Sequence, residues 1–392
     1  MGARTDSTMG AGGQAIHERY SEFHPVPWKF LTLEQKPSDR WDVDFSLALF
    51  NRSGKYFIGK DIVEQNKDLI SGIYYWRIAR KSMPNGLAAR LIGKLEAWEH
   101  TVSIALGRNV SFGASGKSRC LHLDPLTVLH RRPTPDDLVI CHDLGPLTHG
   151  DLFADAVSKG YDLAYRLISA AQPQLVFVSK SSAEVYAQLY GLPRESRVIY
   201  PPIRSASAAA GREACPGVQQ PFLLTVGSIG KRKNQGTAIR AFARSGLANS
   251  GYSYVICGSK EPGHEEVVAL ALRTPGVILL PYVTDANLRW LYAQAIGFVL
   301  ASHLEGFGMP VAEAMENGLI PVVSAGSVLE EVAGAGALSV DPHSEDSIAA
   351  GMAQVVSLDE NARAVRMALL KHQIRQFSEI DFRAKWREAL TA

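Results

Sequence analysis

The sequence predicts an α/β protein of two domains, each built on a parallel sheet, and three observations carry that prediction. The chain has 392 residues, too many for one ordinary core. Short apolar runs such as Phe222–Val226, Gly297–Ala301 and Ile320–Val323 read as strands buried on both faces, and helical segments alternate with them. A stretch poor in large apolar residues, Arg204–Gln220, separates the halves as a linker would.

Composition bounds the function. Forty-one basic residues against 39 acidic ones leave a net charge of +2, so no global basic field points to nucleic acid. Cys120, Cys141, Cys215 and Cys257 stand far apart with no Cys-x-x-Cys pair, the pattern of reduced thiols in a cytoplasmic protein. No apolar run has the length of a signal core or of a spanning helix.

The segment 297–326 organises the rest. Gly297–Ala301 and Ile320–Val323 flank a helix whose first turn accepts Pro310 and whose C-terminal end suits Gly318. The loop before that helix holds Gly306 and Gly308, so a ligand can approach the backbone where unpaired N–H groups and the helix dipole favour an anion. Glu305 and Glu313 flank the loop.

Taken whole, Glu305-Gly306-Phe307-Gly308-Met309-Pro310 with Glu313-Ala314-Met315 resembles the signature of family 4 of the retaining GT-B glycosyltransferases. The resemblance implies two Rossmann-like domains facing a cleft, the first taking the acceptor and the second a nucleotide sugar. It divides the chain into an extension 1–40, a first domain 41–203, a linker 204–220, a second domain 221–375 and a last helix 376–392 crossing back to the first domain. Glu305 is implied against the sugar, Glu313 on the ribose, and the amides of Gly306, Phe307, Gly308 and Met309 at the diphosphate.

In order along the chain, residues 1–40 read as an irregular start that Trp28 and Trp41 could anchor, and Phe45–Phe50 as the first strand. Loop Asn51–Tyr56 and a helix from Gly59 to Ile70 follow. Gly54 and Gly59 stand where the family brings a glycine loop to its ligands, but the family's paired glycines are missing, and glycines needed only for a turn are the more ordinary reading. Asp42-Val43-Asp44 looks like a metal-binding D-x-D, but it precedes that strand instead of ending it. No histidine spacing, His142 and His149 included, suits a metal. Metal is not expected.

Residues 76–98 mix Arg77, Arg80, Lys81, Arg90 and Lys94 with Trp76, Leu87, Leu91, Ile92, Leu95 and Trp98. From Leu87 the spacing is helical, which is more often an ordinary helix facing the core; the membrane-surface reading is kept because members of the resembled family often act on lipid-linked acceptors. Gly116-Lys117-Ser118 fails as a phosphate loop, because the earlier glycine would fall at Ser111.

Strand Asp137–Asp143 ends in His142-Asp143-Leu144, similar to a segment of family mannosyltransferases in which the histidine touches the donor sugar. Leu175–Val178 and a helix capped by Ser179 follow, then Val198–Pro202 as the strand leaving the first domain. In the second domain, strand Phe222–Val226 leads into Gly227, Ser228, Arg232 and Lys233, a second phosphate cradle before a helix through Ala243. The family arginine is replaced by Ser228, Lys233 matches the family lysine, and Arg232 could supply the missing guanidinium. Tyr254–Cys257 and Val277–Leu280 are further strands, and Tyr282-Val283 resembles the segment beside the nucleotide base. Ser327–Gly334 and Ala337–Pro342 extend the match.

The implied activity is retaining, metal-independent transfer of a hexose to a polysaccharide or lipid-linked oligosaccharide. No cofactor is needed beyond the nucleotide sugar, with GDP-mannose favoured and a UDP-sugar open. The implied location is cytoplasmic, with peripheral contact to an anionic membrane through 76–98. A nucleotide-sugar epimerase or hydrolase of the same fold, or a non-catalytic scaffold, remains the alternative.

Overall fold

The computed structural model describes residues 38–46, 54–75, 78–80, 91–95, 98, 99, 102, 118–203, 211–280 and 283–392. All of them belong to the unit Pro37–Ala392. The first sheet contains β1 (Ser38–Asp44), β2 (Ile70–Tyr75), β3 (Ile78–Arg80), β4 (Ser118–His122), β5 (Leu138–Cys141), β6 (Gln174–Phe177) and β7 (Ser196–Val198). Its order is β3-β2-β1-β4-β5-β6-β7, parallel except for the β2–β3 pair. The second sheet contains β8 (Phe222–Val226), β9 (Ser253–Cys257), β10 (Val277–Leu280), β11 (Gly297–Leu300), β12 (Pro321–Ser324) and β13 (Leu338–Val340). Its order is β10-β9-β8-β11-β12-β13, parallel throughout.

Both sheets therefore reverse winding direction at one place, between β1 and β4 in the first and between β8 and β11 in the second. In open α/β sheets the carboxyl ends of those strand pairs form the ligand crevice. Strands such as LVIC at β5, GFVL at β11 and PVVS at β12 are buried at every position, which is why they read as unbroken apolar runs.

The first domain departs from the sequence reading at its start. Its first strand is Ser38–Asp44, not Phe45–Phe50, and positions 47–50 lie outside the described residues. Trp41, Asp42, Val43 and Asp44 are all buried, so two carboxylates sit where local pattern reading expects apolar side chains. Neighbouring strands supply the compensation. Asp42 accepts from Ser71 at 2.7 Å and from Ser118 and faces Arg131 at 3.6 Å, while Asp44 accepts from the Ser46 amide at 3.0 Å. The D-x-D therefore does end a strand, contrary to the reason given against it.

Helix α1 spans Gly54–Gln65 instead of starting at Gly59, and Ile70 opens β2. Gly59 lies inside this helix, where a Cβ would stand 2.7 Å from Leu123 Cδ1 and 3.2 Å from the Phe45 ring. Close packing, and not loop freedom, explains that glycine. Ile78–Arg80 is an edge strand and not part of a helix, whereas 91–95, 98, 99 and 102 are helical. The exit strand ends at Val198; Pro201 and Pro202 could not donate to a ladder. Trp28, Trp76, Arg77, Lys81, Leu87, Arg90, the Gly116-Lys117 pair, Arg204–Ala210 and Tyr282 lie outside the described residues.

After the first domain's α2 (Asp155–Ala171) and α3 (Lys180–Tyr190), the second domain adds α4 (Gln235–Ser245), α5 (His264–Leu272), α6 (Asp285–Gln294), α7 (Met309–Glu316), α8 (Val328–Ala333), α9 (Glu345–Ser357) and α10 (Glu360–Ile374). The last helix, α11 (Glu379–Thr391), packs on the first sheet's side: Trp41 Nε1 donates to the Leu390 carbonyl at 2.8 Å, and Arg387 pairs with Asp68 at 2.7 Å. Where the chain passes between the domains, the rings of Tyr200, Phe307 and Phe377 pack with centroids 5.3–5.9 Å apart.

Candidate active site

The switch point of the second sheet gathers most of the residues singled out from the sequence. After β8 the chain turns at Gly227, whose φ is 148°, and tightens into a 3-10 turn over Lys231–Lys233. Lys233 is only 7% exposed, a cost that a lone ammonium could not bear without a partner. Its Nζ pairs with Glu305 Oε1, to which Ser302 Oγ also donates at 3.0 Å. Arg232 reaches the same carboxylate from the other side, with Nη1 3.7 Å from Glu305 Oε2. It also donates to the Leu304 carbonyl at 3.1 Å and to Glu261 at 2.6 Å. Burial opposes the charge on Arg232, but Glu305 and Glu261 outweigh it and raise its pKa above the ordinary value. Two cations thus converge on Glu305 at the end of β11.

The glycine loop that follows is shaped by close approaches. A Cβ on Gly306 would lie 2.7 Å from the His142 carbonyl oxygen. Gly308 has φ 96° and serves as N-cap of α7, with Pro310 in the first turn as expected. A Cβ on Gly308 would also meet Leu329 Cδ2 at 2.4 Å. Phe307 is buried, 5% exposed, and its ring packs against Tyr200 and Phe377. Met309 and Val283 pack against the core. Glu313, one helical turn into α7, accepts from Tyr292 Oη at 2.8 Å. Ser228 brings no guanidinium; its carbonyl accepts from Gln235 Nε2 at 2.8 Å, which braces the turn.

Across the cleft, β5 delivers His142 to the same place. The His142 ring is 5% exposed and its Nε2 lies 2.8 Å from the Leu123 carbonyl, an acceptor only. The proton therefore sits on Nε2 and the lone pair on Nδ1. Burial, helped by the Lys55 charge, lowers its pKa to about 4, so the ring is neutral near pH 7. Leu304 packs on Gly145, where a Cβ would be 2.1 Å from Leu304 Cδ2. The structure thus joins the His142–Gly145 segment to the Leu304–Gly306 loop.

Several members of the site were not found from the sequence. Asp124 at the end of β4 pairs with Lys55 at 2.7 Å and accepts from Tyr161 at 3.2 Å. Beside it, His122 donates Nδ1–H to Thr127 Oγ1 at 2.9 Å, because that hydroxyl's own proton goes to the Asp124 carbonyl. Its Nε2 is buried without a partner, and Asp44 stands opposite it in register across β1 and β4. Ser302 and Tyr292 could have been suspected from their spacing to the glutamates; Glu261, 29 residues from Arg232, could not. Glu331 crosses between domains, accepting from the amides of Lys180 at 2.7 Å and Ser181 at 2.9 Å and from Tyr200 Oη at 2.9 Å. Ser327 spends its hydroxyl on capping α8 and on the Ser324 carbonyl.

Comparison with known proteins places this geometry. Residues 216–368 match the family model described as glycosyl transferases group 1. O-antigen chain mannosyltransferase B of Escherichia coli is 34% identical over 167 residues, 41% of this chain and 42% of that protein. O-antigen chain mannosyltransferase RfbU of Salmonella typhimurium is 28% identical over 215 residues, covering 53% and 58%. The chain thus spans about half the length of these curated relatives. Among solved structures, the trehalose-6-phosphate synthase OtsA superposes with a TM-score of 0.62 at 11% identity, covering 90% of this chain and 98% of that one. WaaG, a glycosyltransferase involved in lipopolysaccharide biosynthesis, superposes with a TM-score of 0.59 at 14% identity, covering 89% and 98%. Residues 216–368 are therefore similar to a glycosyl transferases group 1 domain, and the chain as a whole has the GT-B fold of these solved structures.

Proposed function

We propose that the protein transfers a hexose, mannose in the first instance, from a nucleotide sugar to a glycan acceptor. GDP-mannose is the favoured donor, and the acceptor is a polysaccharide or lipid-linked oligosaccharide. The observation that carries this reading is the convergence of Lys233 and Arg232 on Glu305 at the β8/β11 switch point. The kinship with two O-antigen mannosyltransferases supports the sugar.

The donor's diphosphate would take over Lys233 and Arg232 from Glu305 and lie against the amides at the start of α7. Released from that pairing, the Glu305 carboxylate would hold sugar hydroxyls as positive charge grows on the anomeric carbon. Glu313 would hold the ribose, and His142, neutral, would offer the Nδ1 lone pair to a sugar hydroxyl. The anomeric C–O bond to the diphosphate breaks while the acceptor oxygen bonds on the same face, and its proton leaves on the diphosphate oxygen. Retention follows from that front-face path. Lys233 and Arg232 supply the charge that a metal ion supplies elsewhere, so the reaction is proposed to need none.

The test is thermal stability against a panel of nucleotide sugars, since a ligand at 100 times its Kd stabilises by about 2.7 kcal/mol. A rise with GDP-mannose that disappears in Lys233→Ala and Glu313→Ala is expected. A rise confined to UDP-sugars would replace the donor, and no rise with any nucleotide would sink the reading.

The same proposal places the protein in the cytoplasm at a membrane face. Helical Leu91, Leu95 and Trp98 are 61%, 47% and 69% exposed, with exposed Lys94 among them, as an interfacial helix requires. Among the described residues no helix is long and apolar enough to cross a membrane. Sedimentation with anionic liposomes, reduced at least several-fold by Leu95→Glu with Trp98→Glu, is the expected result; no sedimentation of the unaltered protein removes this element.

A further inference from the structure

A second cleft lies beside the site and uses none of its proposed groups. It has a volume of about 640 Å³ and takes its walls from both domains, His149 and Asp151 on one side and Lys231, Thr237, Arg240 and Arg273 among those on the other. The 3-10 turn after β8 separates the two places. Arg232 and Lys233 face Glu305, whereas Lys231, between Gly230 and Arg232 in sequence, faces the second cleft.

We propose that this cleft binds the phosphate or diphosphate group of a ligand other than the donor, an inference that rests on the donor occupying the Lys233–Glu305 site. Three features converge. First, the cationic side chains outnumber the acidic ones: Lys231, Arg240 and Arg273 against Asp151 and Glu266. Lys231 reaches Glu266 at 3.3 Å and Arg240 reaches Glu345 at 2.6 Å, both in exposed pairs that solvent weakens. Arg273 is exposed and has no side-chain ion pair or hydrogen bond among the described residues, so its guanidinium is available. Second, α4 opens into the cleft at Gly236 and Thr237. Its N-cap, Asn234, does not cap it: the residue is left-handed, with φ 57°, and its side-chain amide donates instead to the carbonyls of Ala301 and Pro342. The first amides of an eleven-residue helix, which lack intrahelical acceptors, are thus directed where an oxyanion would sit. Third, His303 and His343 stack with centroids 4.9 Å apart on the same wall, and His303 Nδ1 is buried without a partner. Two stacked rings, an unmatched ring nitrogen, helix amides and a guanidinium without a side-chain partner among the described residues form an anion seat that a sugar ring alone would not need.

Position fixes what the seat would do. His303 lies two residues from Glu305, and its amide donates to the Arg232 carbonyl at 3.0 Å, so an anion there lies next to the transfer site without entering it. Such a place suits the diphosphate of a diphosphate-linked acceptor, or free pyrophosphate acting as an effector.

The experiment is calorimetric titration of the full chain, first saturated with GDP, with inorganic pyrophosphate and separately with geranyl diphosphate as a diphosphate ester. Binding of either probe, weakened about tenfold or more in Arg273→Glu and in Lys231→Glu while GDP affinity stays within twofold, supports the seat. The tighter of the two probes names the source. Binding unchanged in both variants, or displaced by GDP and absent from the saturated protein, overturns the proposal. If GDP itself fails to bind, GDP-mannose is replaced as the donor, or the donor reading fails if no nucleotide binds; pyrophosphate bound to the unsaturated protein and weakened by Arg273→Glu but not by Lys233→Ala would still support the seat. Both substituted side chains are exposed, and circular dichroism verifies that the variants fold.

Discussion

The carboxyl edges of the two sheets occupy equivalent places and are built differently. At the β8/β11 edge the charges are concentrated and matched, with Lys233 and Arg232 against Glu305 and Glu261. At the edge formed by β1, β4 and β5, Lys55 and Asp124 form such a pair beside His142, Arg131 faces Asp42 further along β1, and the histidines His122 and His142 are held neutral by burial. Asp44 beside them is desolvated, which raises its pKa, although a protonated His122 and the hydrogen bonds from Ser46 work the other way. One edge can stabilise a polyanion, whereas the other offers fixed neutral nitrogens suited to hydroxyl groups. Under the proposed function that asymmetry has a use, because the diphosphate would carry the charge and the sugar and acceptor mostly hydroxyls.

The largest consequence concerns acid. His122 and His142 both have a folded pKa of about 4 against an ordinary 6.5. Between those values the unfolded chain binds more protons than the folded one, so both groups contribute stability above pH 6.5 that is lost as the pH falls towards 4. Each contribution is on the order of 3 kcal/mol at most. Asp44 titrates in the opposite sense, because its raised pKa favours the folded state on protonation, and offsets part of the loss. Urea unfolding at a series of pH values should show the loss, and His122→Gln should flatten it. If the profile with His122→Gln and His142→Gln together matches the unaltered protein, the description of the first edge is wrong.

A smaller effect is expected where the edges touch. Gly306→Ala puts a Cβ 2.7 Å from the His142 carbonyl, and backbone on both sides must move. A destabilisation of about 1–3 kcal/mol is expected, with loss of sugar transfer exceeding loss of nucleotide affinity because only the meeting of the domains is disturbed. Equal losses of both would mean that the loop serves the second domain alone.

The two domains also differed in how far they could be read. In the second, strands 222–226, 297–300 and 321–324, the helix behind Pro310 and the cap at Ser327 all lie where contiguous patterns put them. A strand, a glycine turn and a helix start form one local unit, and burial on both faces of a parallel sheet writes itself as an apolar run. In the first domain the run Phe45–Phe50 drew the first strand away from Ser38–Asp44. Nothing near Asp42 in sequence announces that Ser71, Ser118 and Arg131 will compensate its burial.

The sequence by itself therefore determined the architecture, the Glu305–Glu313 loop, the glycine turn that carries Lys233 and the strand that leads into His142, although that strand ends at Cys141, because each depends on residues within one turn or strand of one another. Only the tertiary structure decided that Glu305 neutralises Lys233 across 72 positions, that His142 meets Gly306 and that Asp44 faces His122. It likewise decided that Glu331 of the second domain caps a helix of the first. Those pairings follow from strand register and domain contact, in which side chains remote in the chain are buried together, and local periodicity carries no information about which remote partner will arrive.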